Sequence, residues 1–158
     1  MHVPAQDSPR TPLQDIALAV LSCIIVNALI FGLHWDGPSS NARGASLAPP
    51  DWFVGLVWVG LFVCMGIVRF RLRRHPDKGA QRRLIVLAVS DLAYPFYTLA
   101  FHSAYAGFLG NLMTILFAMS FLVQAWRTDK VSAILIFLQV LWALFASLIT
   151  LQELGALH

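Results

Sequence analysis

The chain has 158 residues, of which 58% are hydrophobic and 12% are charged, and its formal net charge is +3. Soluble domains carry roughly 25% charged residues, so this composition excludes an ordinary soluble domain. Its two cysteines, Cys23 and Cys64, lie inside apolar stretches, and no C-x-x-C motif is present. This placement argues against a disulfide framework.

Five apolar stretches make up most of the chain, and short polar or basic links separate them. About 20 apolar residues in a helix cross the hydrocarbon core of a membrane. The stretches therefore predict an all-α integral membrane protein, a five-transmembrane-helix bundle. The predicted helices are residues 13–33, 52–72, 84–101, 106–126 and 131–151. Residues 1–12 are predicted to be a disordered N-terminal tail, 13–151 the membrane domain and 152–158 a C-terminal tail.

The first predicted helix does not have the features of a cleavable signal peptide. A signal peptide has a basic start and an apolar core of about 7–15 residues. Here the core is longer, and the flank carries both Asp7 and Arg10. The segment that follows, residues 36–48, is rich in Gly, Ser, Pro and Asn, which predicts a loop.

The second predicted helix begins directly after Pro49-Pro50, a position where the missing backbone N–H is harmless. Trp52 stands at the helix end, where tryptophan commonly anchors a helix to the membrane interface. Trp58 lies deeper, and Phe62 shares its helical face. A buried indole N–H needs a partner. Trp58 therefore either packs against other aromatic residues or lines a ligand site.

The third predicted helix contains Asp91, the costliest residue of the chain in a membrane. An ionised Asp at the bilayer centre costs about 2.5–3.5 kcal/mol, so such side chains face a protein interior. Helical spacing places Asp91 on one face with Pro95, Thr98 and His102, and Tyr94 on the neighbouring stripe. Pro95 is predicted to kink the helix. Two interpretations are open. This face of the third helix is a ligand or proton site, or Asp91 is a protonated acid that is hydrogen-bonded to a helix partner such as Asn27 or Gln139.

The fourth and fifth predicted helices complete the bundle. Gln139, Trp142 and Ala146 follow helical spacing along one face of the fifth, so another deep tryptophan accompanies a polar group. Small residues that allow helices to approach closely recur on the second and fifth helices. They include Gly55, Gly60, Gly66, Ala143, Ala146 and Ser147.

Basic residues are distributed very unequally between the two sides of the predicted membrane. Loops 69–83 and 127–130, with the N-terminal tail, hold ten of the 11 Lys and Arg residues, and only Arg43 lies on the other side. The positive-inside rule therefore predicts a cytoplasmic N-terminus, cytoplasmic loops 69–83 and 127–130, and a C-terminus outside. The basic loop is interpreted as a topology signal that contacts lipid headgroups, and no nucleic-acid partner is expected.

The sequence contains no signature of a common catalytic or metal site. P-loop, Rossmann, nucleophile-elbow and zinc spacings are missing, and His34, His102 and His158 have no H-x-x-x-H spacing. No metal, no catalytic residue and no required cofactor are therefore predicted.

Two stretches resemble the TspO/MBR family, the tryptophan-rich sensory proteins that include the mitochondrial translocator (peripheral benzodiazepine receptor) protein. Pro49-Pro50-Asp51-Trp52, followed by Val57-Trp58, Leu61-Phe62 and Met65-Gly66, is similar to the family's PPxW…VW..LY..MG signature. Asp129 and the stretch 141–146, LWALFA, are similar to the family's last loop and helix.

The resemblance implies a five-helix bundle with a pocket that opens on the side of the first loop. Family members bind protoporphyrin IX and haem, and some bind cholesterol or benzodiazepine-site ligands. Trp58 and Trp142 match the family's pocket tryptophans, and Ala146 matches a pocket-wall position. His34, His102 and Arg43 could meet porphyrin propionates at the mouth. A homodimer is a further expectation from the family.

The leading hypothesis is a membrane receptor, sensor or carrier for porphyrin-type tetrapyrroles or other flat apolar ligands, with the lipid bilayer and a tetrapyrrole or sterol-like molecule as partners. Its predicted ligand-binding residues are Trp52, Trp58, Phe62, Asp91, Tyr94, His102, Gln139, Trp142 and Ala146. The alternatives are a proton-coupled small-solute transporter that uses Asp91, a light-dependent porphyrin-degrading enzyme, and a structural subunit without a ligand.

Overall fold

The computed structural model of the chain describes residues 11–33, 48–74, 77–101 and 103–155. These residues form five α-helices and no strand, so the all-helical class is confirmed. The helices are α1 (Pro12–Gly32), α2 (Asp51–Arg74), α3 (Lys78–Phe101), α4 (Ala104–Ala125) and α5 (Lys130–Glu153).

Four of the described helices, α1, α2, α4 and α5, are long and apolar enough to cross a membrane. The helix α3 begins at Lys78, so the predicted start at residue 84 was wrong. The apolar pattern underestimated α3 because its first turns carry Arg82 and Arg83, which a helix tolerates well although a membrane core does not.

The helices pack in a closed order around the bundle. The helix α2 packs between α1 and α5, α4 packs between α5 and α3, and α3 closes the circle against α1 and α2. Phe62, Phe121 and Ile136 are among the fully buried core side chains. Large apolar side chains also cover the outside of the bundle, as a hydrocarbon solvent requires. The chain is therefore an integral membrane protein.

Gly66 allows α1 and α2 to touch through their backbones. A Cβ atom at this position would lie 2.5 Å from the Cα atom of Ile16 and 2.9 Å from the carbonyl oxygen of Asp15. Only a residue without a side chain fits at this distance. Membrane helices commonly use glycine in this way, to let two backbones approach closely.

Ion pairs join the helices at one end of the bundle, which we call the basic end. It comprises the first turns of α1, α3 and α5 and the last turns of α2 and α4. Asp15 on α1 is 2% exposed and lies 3.1 Å from Arg73 and 3.5 Å from Arg69 on α2. Arg71 donates two hydrogen bonds of 2.8 Å to the carboxylate of Asp129, just before α5. Three helices are thereby connected through charged side chains.

Neutral partners add further contacts at the basic end. Asp77, before α3, accepts a 2.9 Å hydrogen bond from Gln124 on α4 and another from the backbone N–H of Ala80. Because both donors stabilise the carboxylate, the pKa of Asp77 is lowered from its usual value. Arg83 on α3 donates to the backbone carbonyl and the hydroxyl of Ser120 on α4. The basic end therefore fixes the register between α3 and α4.

Candidate functional site

Asp91 lies at a junction of three helices inside the bundle. Its carboxyl group accepts a 2.9 Å hydrogen bond from the hydroxyl of Thr114 on α4 and a 2.7 Å bond from the amide of Gln139 on α5. All three side chains are buried, and Asp91 is only 1% exposed. Each carboxyl oxygen thus has one neutral donor, and no arginine or lysine among the described residues pairs with Asp91.

Gln139 is one of the two partners that the sequence suggested for Asp91, and the structure confirms this contact. The other suggestion, Asn27, was wrong because its amide donates to the backbone carbonyl of Cys23 in its own helix. An amide that donates to the preceding turn of its own helix has a hydrogen-bond partner without reaching another helix.

Tyrosines continue the polar region from Asp91 toward the other end of the bundle, which we call the far end. Tyr94 follows Asp91 by one helical turn, and its hydroxyl faces the side chain of Asn111 on α4. The Asn111 amide nitrogen is buried without a hydrogen-bond partner. The Tyr94 and Tyr97 rings make an edge contact with centroids 5.6 Å apart. They pack against Gly110, where a Cβ atom would lie 2.5 Å from the Tyr97 hydroxyl.

Trp58 packs into this aromatic region from α2. Its ring stacks on Phe62 with centroids 6.2 Å apart and meets Tyr94 at 5.8 Å. Trp58 is half-buried against the hydrophobic core, whereas Phe62 belongs to that core. The structure therefore brings together Trp58, Phe62 and Tyr94 from the predicted set, next to Asp91.

Trp142 lies in a different setting, an apolar groove between α2 and α5. The groove has a volume of about 440 Å³ and is lined by Val57, Gly60, Leu61, Cys64, Leu138, Leu141, Trp142 and Phe145. The rings of Trp142 and Phe145 are 5.6 Å apart. Trp58 is not a lining residue of this groove. Although adjacent in sequence, Val57 and Trp58 face different sides of α2.

The remaining predicted site residues are spread over the bundle. Ala146 is half-buried on α5, one turn after Trp142. Trp52 is 70% exposed and makes an edge contact with Phe53 at the start of α2, as an interface anchor would. His102 lies outside the described residues, as do His34 and Arg43. That any of these residues binds a ligand stays a prediction.

Sequence reasoning missed the contribution of α4 to the site. Thr114 and Asn111 are buried at 4% exposure each and one helical turn apart. The sequence did carry a signal for this buried face. Asn111 and Thr114 are spaced i, i+3, and the small residues Gly107 and Gly110 precede them in an otherwise apolar helix. Within the described part of the chain, His, Cys, Asp and Glu form no group of three that could hold a metal ion.

The substitution Gly110→Ala is expected to disturb this site more than Gly107→Ala. The new methyl at residue 110 would lie 2.9 Å from ring atoms of Tyr94, so that ring must shift, whereas at residue 107 it meets Thr150 at 3.4 Å. Tyrosine fluorescence or methyl NMR near Tyr94 would report the displacement. Equal spectra for the two variants would contradict the expected crowding at residue 110.

The chain was compared with protein-family models, curated proteins and solved structures, and only the family comparison gives a match. No curated protein and no solved structure matches the chain. The model of the TspO/MBR family matches residues 16–153, which include all of α2, α3, α4 and α5 and most of α1. The match covers nearly the whole chain and confirms the resemblance seen in the PPDW and LWALFA stretches. This membrane protein belongs to the TspO/MBR family.

Proposed function

We propose that the protein is a membrane receptor or carrier for flat, largely apolar ligands of the porphyrin type. Family membership supports a tetrapyrrole-binding or sensor role at a coarse level. The observation that carries the proposal is the apolar groove that holds Trp142 and Phe145 between α2 and α5. Its volume of about 440 Å³ falls within the range of roughly 300–1,000 Å³ that is usual for ligand pockets.

Aromatic side chains supply the recognition in this proposal. A porphyrin presents a flat apolar face, which an indole ring can stack against. Two such surfaces are available, the Trp142 groove and the Trp58–Tyr94 region, and they lie on different faces of α2. Propionate groups would remain near water at the far end, where the sequence predicts His34, His102 and Arg43.

Titration with protoporphyrin IX tests the proposal. In detergent, saturable quenching of tryptophan fluorescence at micromolar ligand is expected for the unsubstituted protein. The Trp58→Phe/Trp142→Phe variant should bind about tenfold more weakly, because an aromatic contact contributes roughly 0.5–1.5 kcal/mol. Trp126→Phe is the matched control, since Trp126 is 55% exposed at the basic end.

The single substitutions separate the two surfaces. Weakening by Trp142→Phe alone would place the ligand in the groove, and weakening by Trp58→Phe alone would place it beside Tyr94. Linear quenching that is identical in all variants would contradict a tetrapyrrole site. In that case the family fold would serve a different ligand.

A second candidate is a proton-coupled carrier of small solutes, which the burial of Asp91 between two neutral partners favours. In proteoliposomes, Asp91→Asn would then abolish pH-dependent uptake while leaving the fold intact. Uptake that is unchanged in the variant would remove this candidate.

A further inference from the structure

The aspartates of the described helices and loops differ in what their partners can do. Asp15 faces Arg69 and Arg73, and Asp129 faces Arg71, backbone N–H groups and the Ser132 hydroxyl. Asp77 accepts from the Gln124 amide and from a backbone N–H. Guanidinium and backbone N–H groups can only donate hydrogen bonds, so these sites favour a carboxylate. The pKa of Asp129 is accordingly held well below its usual value, chiefly by the hydrogen bonds from Arg71.

Asp91 has partners of another kind. The hydroxyl of Thr114 and the amide of Gln139 can each donate or accept a hydrogen bond. With Asp91 ionised, both groups donate to it. With Asp91 protonated, its O–H can donate to the carbonyl oxygen of Gln139 after the amide turns over, while Thr114 still donates to the other oxygen. The site can therefore hold either form without movement of a helix.

The surroundings of Asp91 favour the neutral form. Its own helix presents Tyr94 and Tyr97, α4 presents the neutral Thr114 and Asn111, and α5 presents Gln139, with Glu153 nearer to Tyr94. Among the side chains that the structure describes, the ionisable groups on α1 and α2 are the thiols of Cys23 and Cys64 and, at the basic end, Asp15, Arg69, Arg71, Arg73 and Arg74.

The nearest basic residue on α3 is Arg83, eight positions earlier or about 12 Å along the helix axis. Arg83 is also occupied by Ser120. Among the described residues, a carboxylate at residue 91 would thus be buried without a countercharge, which is costly in a membrane.

Polar side chains connect Asp91 with both the far end and the aromatic region. Tyr94 lies one turn along α3, faces Asn111 and interacts at longer range with Glu153 near the end of α5. The unpartnered amide nitrogen of Asn111 leaves a donor available in this layer. The Tyr94 ring also contacts Trp58. Asp91 therefore lies one helical turn from Tyr94, which is part of the Trp58–Tyr94 surface.

We propose that Asp91 is a reversible proton-binding site inside the bundle, and that its protonation sets the ligand affinity of the neighbouring Trp58–Tyr94 surface. The second half of this proposal rests on the proposed function. A neutral Asp91 suits the apolar face of a porphyrin beside it, whereas an ionised Asp91 places an uncompensated charge near that face and competes for the hydrogen-bond donors around Tyr94. Affinity should therefore fall as pH rises past the point where Asp91 loses its proton.

Infrared spectroscopy in lipid bilayers tests the proton site without any ligand. The difference between the unsubstituted protein and Asp91→Asn should contain the carbonyl stretch of a protonated carboxylic acid at neutral pH, and this band should disappear reversibly at alkaline pH. Thr114→Val removes one donor to the carboxylate, so it should move the disappearance to higher pH. A difference spectrum without the band across the whole range would overturn the proposal.

Protoporphyrin IX binding as a function of pH tests the coupling. The ligand's own ionisation changes with pH in the same way in both experiments. The ratio of the affinity of the unsubstituted protein to that of Asp91→Asn therefore reports the effect of the Asp91 carboxyl group alone. This ratio should fall by up to about tenfold per pH unit once Asp91 ionises. A ratio that does not change with pH would overturn the coupling. Failure of both proteins to bind at any pH would instead refute the proposed function.

The infrared experiment keeps the inference testable if Asp91→Asn fails to fold. Two results would then decide whether Asp91 is a proton-binding site. They are the reversible loss of the band in the unsubstituted protein and the higher pH at which it disappears in Thr114→Val. The pH dependence of binding in Thr114→Val against the unsubstituted protein would decide the coupling, with equal profiles counting against it.

Discussion

Replacing Gly66 with alanine is expected to lower the free energy of unfolding by about 1–3 kcal/mol, the usual cost of overpacking a tight core. The added methyl would lie 2.5 Å from the Cα atom of Ile16 and 2.9 Å from its backbone nitrogen. Because these are backbone atoms, no side-chain rotation relieves the clash, and α1 must move away from α2. That movement would also pull Asp15 away from Arg69 and Arg73.

Gly60→Ala provides the matched control on the same helix, because nothing lies within 4 Å of a Cβ atom at residue 60. Thermal unfolding in detergent, followed by circular dichroism, measures both variants. A lower midpoint for Gly66→Ala alone is the expected result. Equal midpoints would show that the close approach of α1 and α2 is not needed for stability.

Replacing Asp129 with alanine is expected to destabilise the bundle by about 1–3 kcal/mol. The substitution removes the N-cap of α5, where the carboxylate accepts from the N–H groups of Val131 and Ser132. Loss of such a cap costs roughly 0.5–2 kcal/mol. It also removes the ion pair with Arg71, whose side chain is 36% exposed, so the pair adds roughly 0–1 kcal/mol.

Asp129→Asn separates these two contributions, since Asn caps a helix about as well as Asp but cannot form the ion pair. It should retain most of the stability that Asp129→Ala loses. Since the folded protein lowers the pKa of Asp129, its contribution is present above the usual Asp pKa and disappears as pH falls through the lowered value. Equal unfolding midpoints for all three proteins would contradict both roles.

The sequence predicted five helices, and four of those described are long and apolar enough to cross a membrane, because such spans need long apolar runs that are visible without a structure. It also offered Gln139 and Asn27 as alternative partners of Asp91, because a polar group in hydrocarbon must find one of the few others available, and Gln139 is the one that bonds to it. The start of α3 was harder, since Lys78, Arg82 and Arg83 extend the helix beyond its apolar part.

Helical periodicity relates residues to their own helix but says nothing about which neighbour that face meets. Thr114 escaped prediction for this reason. A single threonine in an apolar helix does not indicate a site by itself, and its role becomes clear only from its hydrogen bond to Asp91 on the facing helix. The pairing of Trp58 with Trp142 came instead from the family resemblance. The structure packs Trp58 against Tyr94 and has Trp142 line the groove between α2 and α5, and a ligand at either residue stays a prediction.

Interhelical ion pairs and side-chain hydrogen bonds are concentrated at the basic end of the described bundle. Among the described residues, the ion pairs of α1 with α2 and of α2 with Asp129 all lie at the basic end, as do the bonds from Gln124 and Arg83. Beyond that end, the hydrogen bonds of Asp91 join α3 to α4 and α5. Because these contacts hold the helices together at the basic end, we expect small rotations of the helices about that end to displace their far ends most.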